Sequence, residues 1–241
     1  MVKYFCTVFI GILTTAIVSA QPPKQATVFF KAGISLRDKG MLNQAIASFN
    51  KAIKLNKKYD SAYLEIAQLY LKTNKPDSAV LTLNAAVKAN PAFTKGYETL
   101  GIIYRDYKAN PDSAILNYLN AFKLDSTNKV TLYSLAWCNN QKGNYREAIK
   151  YGIKALEVDN NYKPAYNELG HAYRQLKAYD ECIEQFKKNL AISVNELPLL
   201  YSGYCYMELN QKENALKIYE ELNKLNPKMA GALKKKLDAS N

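Results

Sequence analysis

Apolar and polar residues follow a helical period along this chain, and the pattern itself recurs at a fixed spacing. Within residues 60–93, Tyr63, Ile66, Ala67 and Tyr70 lie three or four positions apart, so they share one face of a helix. A second helical pattern follows after a short polar break, and the pair of patterns returns about every 34 residues. Since no segment alternates with a period of two, we predict an array of helices without a sheet.

The recurring pattern divides the chain into six units in tandem register. These units are residues 26–59, 60–93, 94–128, 129–162, 163–195 and 196–229. Before them we predict a short extended segment, residues 21–25, because Pro22 and Pro23 restrict the backbone there. After them, residues 230–241 are predicted to form a capping helix and tail that cover the last unit.

Proline and aspartate mark the break between the two helices of a unit. Pro76 disfavours helix in the residue before it, and the carboxylate of Asp77 suits the amino end of the helix that follows. Pro111 and Asp112 repeat this device in unit 3, which holds one additional residue that we place in the turn. Each predicted helix has about 14 residues and is roughly 20 Å long.

These residues resemble the tetratricopeptide repeat family, whose pattern places an aromatic, a Leu, a small residue and a Tyr in the first helix. The second helix of that pattern carries an Ala, an aromatic and another Ala, and a Pro ends the repeat. Unit 3 matches with Tyr97, Leu100, Gly101, Tyr104, Ala114, Tyr118 and Ala121. The resemblance covers residues 26–229 and implies an all-α, right-handed superhelical solenoid of antiparallel helix pairs.

Small residues at fixed places in the repeat predict close packing. Gly101 and Gly170 should let the two helices of a unit approach each other. Four residues depart from the pattern: Asn139 and Gly152 replace aromatic residues in unit 4, and Cys182 and Asn189 replace small apolar residues in unit 5. Because glycine inside a helix costs about 1 kcal/mol relative to alanine, Gly152 predicts a weaker unit 4.

The first twenty residues differ from the rest and read as a secretory signal peptide. Lys3 precedes an apolar run from Phe5 to Val18, and small residues follow up to a cleavage site after Ala20. We therefore expect an exported protein in the periplasm or cell envelope, or outside the cell. An uncleaved anchor is the alternative, although the apolar stretch is shorter than the about 20 residues of a spanning helix. After cleavage we expect no stable membrane span.

The chain is basic, with a formal net charge of +12, and hydrophobic residues make up 48% of it. This composition is typical of a folded protein. Single lysines are scattered through every unit, and only Lys234, Lys235 and Lys236 form a run. We interpret the charge as a solvated surface, so no nucleic-acid partner is expected.

Catalytic and metal-binding patterns are sparse in this sequence. A single histidine, His171, excludes a multi-histidine metal site, and no glycine-rich phosphate loop occurs. Glu168 lies three residues before His171, which is a common surface pair. Beyond the signal peptide, three cysteines make an odd number, which argues against a disulfide framework, and their positions in the repeat indicate burial. These are Cys138, Cys182 and Cys205. We expect no catalytic residue, cofactor or metal, and no enzymatic activity.

The family resemblance also implies a binding groove, because the first helices of such arrays line a concave surface. The inward residues should then be the fifth, ninth and twelfth of each unit. The predicted groove residues are Phe30, Ile34, Arg37, Leu64, Gln68, Glu98, Ile102, Arg105, Tyr133, Trp137, Asn140, Asn167, His171, Arg174, Leu200, Tyr204 and Met207. Trp, Tyr and Arg are enriched at binding hot spots. The alternative, that Trp137 and Tyr204 only pack against neighbouring units, stays open.

The sequence thus predicts an exported, non-enzymatic scaffold or adaptor that binds a peptide or protein in this groove. Some family members clamp the tail of a chaperone with a Lys, Asn and Arg set, which Phe30, Ile34, Leu64 and Gln68 do not match. An alternative function is electrostatic binding of an acidic polymer or an anionic membrane, which salt would weaken steeply. Weak self-association through unit 6 is a third possibility.

Overall fold

The computed structural model describes residues 23–239, and within that range the chain folds into thirteen α-helices and no strand. The helices are α1 (Lys24–Asp38), α2 (Leu42–Leu55), α3 (Asp60–Lys72), α4 (Pro76–Ala89), α5 (Thr94–Asp106), α6 (Pro111–Leu124), α7 (Lys129–Gln141), α8 (Tyr145–Val158), α9 (Lys163–Gln175), α10 (Tyr179–Ile192), α11 (Glu196–Glu208), α12 (Lys212–Leu225) and α13 (Pro227–Asp238). The predicted fold class, an all-α solenoid of antiparallel helix pairs, is confirmed. The predicted signal peptide lies outside the described residues.

The chain separates into two compact units at Asn56, and each is described by itself. In the first, α1 and α2 form a helical hairpin in which the Phe30 and Phe49 rings lie 5.5 Å apart. Helix α1 begins at Lys24, so residues 24 and 25 of the predicted extended segment are helical instead. The reason is that the fixed φ of proline, here −49° at Pro23, suits the residue that precedes a helix.

In the second unit, helices α3 to α13 pack in chain order, each against the next. The turns inside the helix pairs share one device, a residue in the left-handed conformation. These residues are Asn74, Ala109, Gly143, Lys177 and Asn210. The additional residue of the third repeat lies in the turn 107–110, as predicted, where it lengthens the connection without interrupting either helix.

Glycine permits the close contact of helices within a pair. A Cβ atom on Gly101 would lie 2.6 Å from the ring of Tyr118, and one on Gly170 would lie 2.5 Å from the ring of Phe186. Both distances are too short for real Cβ contacts, so these rings occupy the space that the glycines leave. Gly152 acts in the same way, since its Cβ would lie 2.9 Å from Leu169. The glycine that interrupts the pattern in α8 is therefore a packing residue for α9.

Both asparagines that depart from the repeat pattern are buried and hydrogen-bonded. The side chain of Asn139 donates to the carbonyl of Leu135 at 2.8 Å. Asn189 is fully buried and donates to the carbonyl of Lys163 at 2.9 Å and to Oδ1 of Asn167 at 3.0 Å. Each amide thus fixes a helix end or an interhelix contact, and the desolvation cost of burying it is offset by those bonds.

The three cysteines are fully buried, as the repeat positions predict. Burial raises the pKa of the Cys138 thiol to about 12. A hydrogen bond between the thiols of Cys182 and Cys205 raises the pKa of Cys182. The same bond lowers the pKa of Cys205. The thiols of Cys138 and Cys182 stay protonated at neutral pH and behave as small apolar side chains.

The last helix closes the second unit. It begins at Pro227 rather than at residue 230, because Asn226 caps it by accepting a hydrogen bond from the amide of Met229. Leu233 of α13 is fully buried. A Cβ atom on Gly203 of α11 would lie 2.5 Å from the Leu233 side chain, so Leu233 fills the space that this glycine leaves. The apolar side of α11 and α12 is therefore covered by α13.

We predict that Gly101→Ala lowers the free energy of unfolding by about 1–3 kcal/mol, because the added methyl group must displace the fully buried Tyr118 ring. Gly231→Ala is the matched control. Its Cβ would meet nothing within 4 Å, so the higher helix propensity of alanine should leave stability unchanged or raise it by up to about 1 kcal/mol. Urea denaturation of wild type and both variants measures the difference. A Gly101→Ala midpoint equal to that of wild type would contradict this account of the packing.

Candidate functional site

The first helices of successive pairs lie side by side in the second unit, and we call the surface formed by α5, α7, α9 and α11 the first-helix surface. Three contacts define it. The guanidinium carbon of Arg105 lies 5.4 Å from the centroid of the Trp137 ring, and that of Arg174 lies 5.0 Å from the Tyr201 ring. Between them, Asn140 donates to the Glu168 carboxylate at 2.8 Å. Residues from four predicted repeats thus meet on one surface.

Residues at the fifth place of each repeat mostly join helices to each other. Glu98 is only 9% exposed and accepts hydrogen bonds from Lys95 at 2.9 Å, Asn128 at 2.7 Å and Thr131 at 3.1 Å. Its carboxylate is fully satisfied by its own chain and ties α5 to the start of α7. Glu98 therefore offers little to a ligand, although it occupies a predicted groove position.

The other fifth-place residues of the second unit behave similarly. Leu200 is buried in the core formed by α10 to α13, and Leu64 packs against the core between α3 and α5. The Tyr133 ring meets the Tyr162 ring edge-on at 6.0 Å, and Asn167 accepts the hydrogen bond from Asn189. These positions are architectural, with Asn167 also reaching a cavity.

Residues at the ninth and twelfth places line three cavities along the first-helix surface. The first, which we call cavity A, has a volume of about 260 Å³. It is lined by Arg105, Ala109, Pro111, Trp137 and Gln141. The Arg105 guanidinium donates to both carboxylate oxygens of Asp106, at 2.6 and 2.9 Å, and this pairing raises its pKa. Arg105 is therefore neutralised locally and presents mainly its flat face to Trp137.

The second cavity, cavity B, lies on the other side of Trp137 and has a volume of about 220 Å³. It is lined by Trp137, Gln141, Asn167, Glu168, His171, Phe186, Leu197 and Tyr201. Trp137 is half-buried and contributes to both A and B. Half of the lining residues carry an aromatic ring, and polar groups converge between them, which is a usual character of a binding site.

Glu168 and His171 do not form a surface pair. The Glu168 carboxylate is bonded to Asn140 of α7, which is 4% exposed, and burial raises the pKa of Glu168. The His171 ring lies 6.3 Å from the Tyr145 ring, and its Nε2 atom lies 3.4 Å from Nε2 of Gln175. Burial and the charge of Arg174 lower the pKa of His171, so the imidazole is neutral at pH 7.

The third cavity, cavity C, is the largest of the three, with a volume of about 460 Å³. It is lined by Arg174, Gln175, Lys177, Tyr179, Tyr204, Glu208, Ala232 and Lys236. Lys236 of α13 forms an ion pair with Glu208 of α11 and lies 5.5 Å from the centroid of the Tyr204 ring. The capping helix therefore supplies one wall of this cavity.

Several predicted groove residues line none of these cavities. Gln68 is exposed on α3, while Ile102 and Met207 are partly buried against the cores of their helix pairs. Phe30, Ile34 and Arg37 belong to the first unit, where all three are half-buried. Their role in binding stays a prediction.

Sequence reasoning missed a group of cavity residues. These are Gln141, Glu168, Lys177, Phe186, Leu197, Tyr201 and Lys236. Glu168 and Tyr201 occupy the place directly after the predicted fifth position, so a wider helical face would have included them. Lys177 lies in a turn and Lys236 on the terminal helix, where the repeat register gives no signal.

Among residues 23–239, no group of histidine, cysteine, aspartate and glutamate side chains is arranged to hold a metal ion. The helices of this same range are all too short or too polar to cross a membrane.

Tandem helix pairs whose first helices share one surface define the class of helical-repeat solenoids. The sequence profile described as "Tetratricopeptide repeat protein 21 C-terminal ARM domain" matches residues 25–169, which is more than half of the chain. Two profiles described as "Tetratricopeptide repeat" match residues 164–193 and 199–228. The chain belongs to the tetratricopeptide repeat family.

Among curated proteins, the chain is similar to the protein O-mannosyl-transferase Tmtc3 of Drosophila melanogaster, with 26% identity over 75% of this chain and 19% of the relative. It is also similar to a TPR repeat-containing protein of Methanocaldococcus jannaschii, with 25% identity over 82% of this chain and 30% of the relative. The chain thus spans less than a third of the length of these two relatives.

Two solved structures illustrate the shared fold. PilW, described as a widely conserved type IV pilus biogenesis factor, superposes with a TM-score of 0.67 at 17% identity, over 88% of this chain and 99% of PilW. YrrB, described as a TPR protein with an unusual peptide-binding site, gives a TM-score of 0.62 at 18% identity, over 72% of this chain and 89% of YrrB. At these identities the likeness is one of fold.

His171 is the only histidine, so its titration can be followed as a single imidazole resonance by NMR. We expect a midpoint below 6.5, because burial and Arg174 both disfavour the charged ring. The stability that this depressed pKa contributes is present above the unfolded pKa and is lost as the pH falls through the folded value. Arg174→Gln should raise the midpoint, whereas Lys217→Gln on the exposed side of α12 should not. A wild-type midpoint at or above 6.5 would refute this description of the cavity.

Proposed function

We propose that the protein is an exported, non-enzymatic adaptor that binds a peptide or protein partner on the first-helix surface. The observation that carries the proposal is the position of Trp137, which is half-buried between cavities A and B and has Arg105 against its ring. Trp137 forms a wall of two adjoining cavities, as an anchoring residue of a recognition site does.

The row of cavities suits an extended ligand better than a compact one. Cavities A and B share Trp137 and Gln141, and cavities B and C are both lined by α9 and α11. Because each cavity shares helices with the next, successive side chains of one peptide could enter them in turn. YrrB, with a similar fold, is described as having a peptide-binding site, which agrees with this mode of binding.

The absence of catalysis is proposed from the chemistry of the chain's own residues. His171, the sole histidine, has a buried Nδ1 atom and a neighbour in Arg174 that disfavours protonation. The three thiols are fully buried, so a reactant has no access to them. Neither kind of residue is placed for nucleophilic attack or proton transfer. Export rests on the pattern of residues 1–20, which resembles a signal peptide.

Several lysines form ion pairs with aspartates, which counts against electrostatic binding of an acidic polymer or an anionic membrane. Lys108 pairs with Asp77, Lys142 with Asp112, and Lys129 with Asp159. These links neutralise basic side chains locally, so the positive charge does not gather into one broad patch. Binding of an acidic polymer or an anionic membrane is therefore the weaker of the two functions.

We predict that Trp137→Ala weakens partner binding at least about tenfold, the loss typical of a hot-spot residue. The test is affinity capture from an envelope extract, followed by titration of the captured protein against purified variants. Leu116→Ala is the matched control, since Leu116 is a large apolar side chain that is 61% exposed on a second helix, α6.

Circular dichroism should show unchanged helicity for both variants. Equal affinity of wild type and Trp137→Ala for the captured partner would contradict the proposal. Binding that ignores Trp137 but falls steeply with added salt would instead support the electrostatic function.

A further inference from the structure

Cavity C carries an excess of positive charge. Its walls include Arg174, Lys177 and Lys236, but only one carboxylate, that of Glu208. Glu208 is engaged by Lys236, and this pairing holds the pKa of Glu208 below its usual range. Within residues 23–239, neither Arg174 nor Lys177 forms an ion pair of its own. Lys177 also acts on Glu208 through its charge, so three cations share one carboxylate and the cavity keeps an excess of positive charge.

Arg174 is the more unusual of the two. Its Nε atom is buried and has no hydrogen-bond partner in the described part of the chain. A buried donor without an acceptor is costly, and the cost is larger for a charged group. Arg105, the corresponding arginine two repeats earlier, differs because Asp106 satisfies it. Within residues 23–239 no carboxylate satisfies Arg174 in this way, so its guanidinium can pair with an acceptor that a ligand supplies.

An aromatic platform holds Arg174 in place. Its guanidinium lies over Tyr201, whose ring stacks on Phe186 at 6.1 Å with an interplanar angle of 26°. Tyr204 extends this platform toward cavity C, with its ring 6.3 Å from that of Tyr201. A planar cation fixed against rings loses little conformational entropy when it binds a planar acceptor.

Lys177 occupies a turn position that disfavours lysine. Its φ is +60°, in the left-handed region, where the other turns between paired helices mostly use Asn or Gly. The backbone requirement of the turn does not explain a lysine there. Its side chain lines cavity C, next to the same opening as Arg174.

We infer that cavity C binds a carboxylate group of the peptide that occupies the first-helix surface, with Arg174 as the principal contact and Lys177 and Lys236 as supporting charges. The inference rests on the proposed function. A guanidinium offers two parallel N–H donors that match the two oxygens of a carboxylate. The acceptor is either the side chain of Asp or Glu or the carboxyl terminus of the peptide, since both present the same group.

The test uses fluorescein-labelled hexapeptide pools, each with one fixed residue at one position and mixtures elsewhere. Pools fixed as Asp or Glu are compared with pools fixed as Asn or Gln, which have the same shape without the charge. Each is made with a free and with an amidated carboxyl end. Fluorescence polarisation against the wild-type protein should show about tenfold tighter binding of the acidic pools, or of all pools with a free end.

Substitutions of the lining residues test whether the preference for carboxylate-bearing peptides arises in cavity C. Arg174→Gln should abolish it, and Arg174→Lys should restore it in part because the charge returns without the paired donors. Arg146→Gln on α8 and Lys234→Gln on α13 are matched controls, since both residues are exposed and neither lines cavity C. Lys236→Gln should weaken the preference without removing it. Circular dichroism checks that each variant is folded.

The outcomes separate this inference from the proposed function. If pools bind and Trp137→Ala weakens them, but acidic pools gain nothing, cavity C has no carboxylate preference and only this inference falls. A preference for Lys or Arg pools, or an acidic preference that survives Arg174→Gln, would overturn it as well. If no pool binds but the captured partner still depends on Trp137, only this inference falls. Both proposals fail if that partner also binds Trp137→Ala as tightly as wild type. A preference confined to free ends assigns the terminal carboxylate, and one confined to fixed Asp or Glu assigns the side chain.

Discussion

The contact between a glycine of one helix and a ring of its partner underlies the rest of this structure. Where Gly101 faces Tyr118 and Gly170 faces Phe186, the two helices of a pair approach more closely than any side chain would allow. The rings fill the space and are themselves buried, so each pair gains apolar burial that neither helix could obtain alone. The same place in other first helices of the second unit holds a small, fully buried residue, Ala67 in α3 and Ala136 in α7, so each pair packs closely and the first helices come to lie beside one another. The first-helix surface thus results from how each pair packs, and its residues are free to differ from repeat to repeat.

That separation of roles is visible within single helices. In α9, Leu169 and Gly170 are buried in the packing, whereas His171 and Arg174 line cavities on the other side. In α7, Leu135 is buried and Trp137 is not. Cations lying on rings of the next first helix, Arg105 on Trp137 and Arg174 on Tyr201, connect neighbouring repeats across this outer face. The contacts are alike, but Asp106 neutralises one arginine and nothing comparable neutralises the other.

The sequence predicted the fold well and the candidate site only in part, for physical reasons. Helix pairs follow from local periodicity and from the proline and aspartate breaks, which act within a few residues. The close contact at Gly101 could be predicted for the same reason. The burial of Glu98 could not, because it depends on Asn128 and Thr131, about one repeat away. Glu168 was missed because its environment is set by Asn140 of a different helix. Gly152 looked like a weakness in the sequence, and only the position of Leu169 shows it to be a packing residue. The contacts that one repeat makes with the next cannot be predicted from the sequence pattern of either repeat.

The terminal helix α13 has a further consequence. It contributes both Leu233 to the core and Lys236 to the wall of cavity C. Cover of the α11–α12 core and composition of cavity C therefore reside in the same twelve-residue segment. Replacing α13 with the first helix of another repeat would change the chemistry of the cavity together with the core contact. In modular terms, α13 couples packing to cavity composition and is not an interchangeable unit.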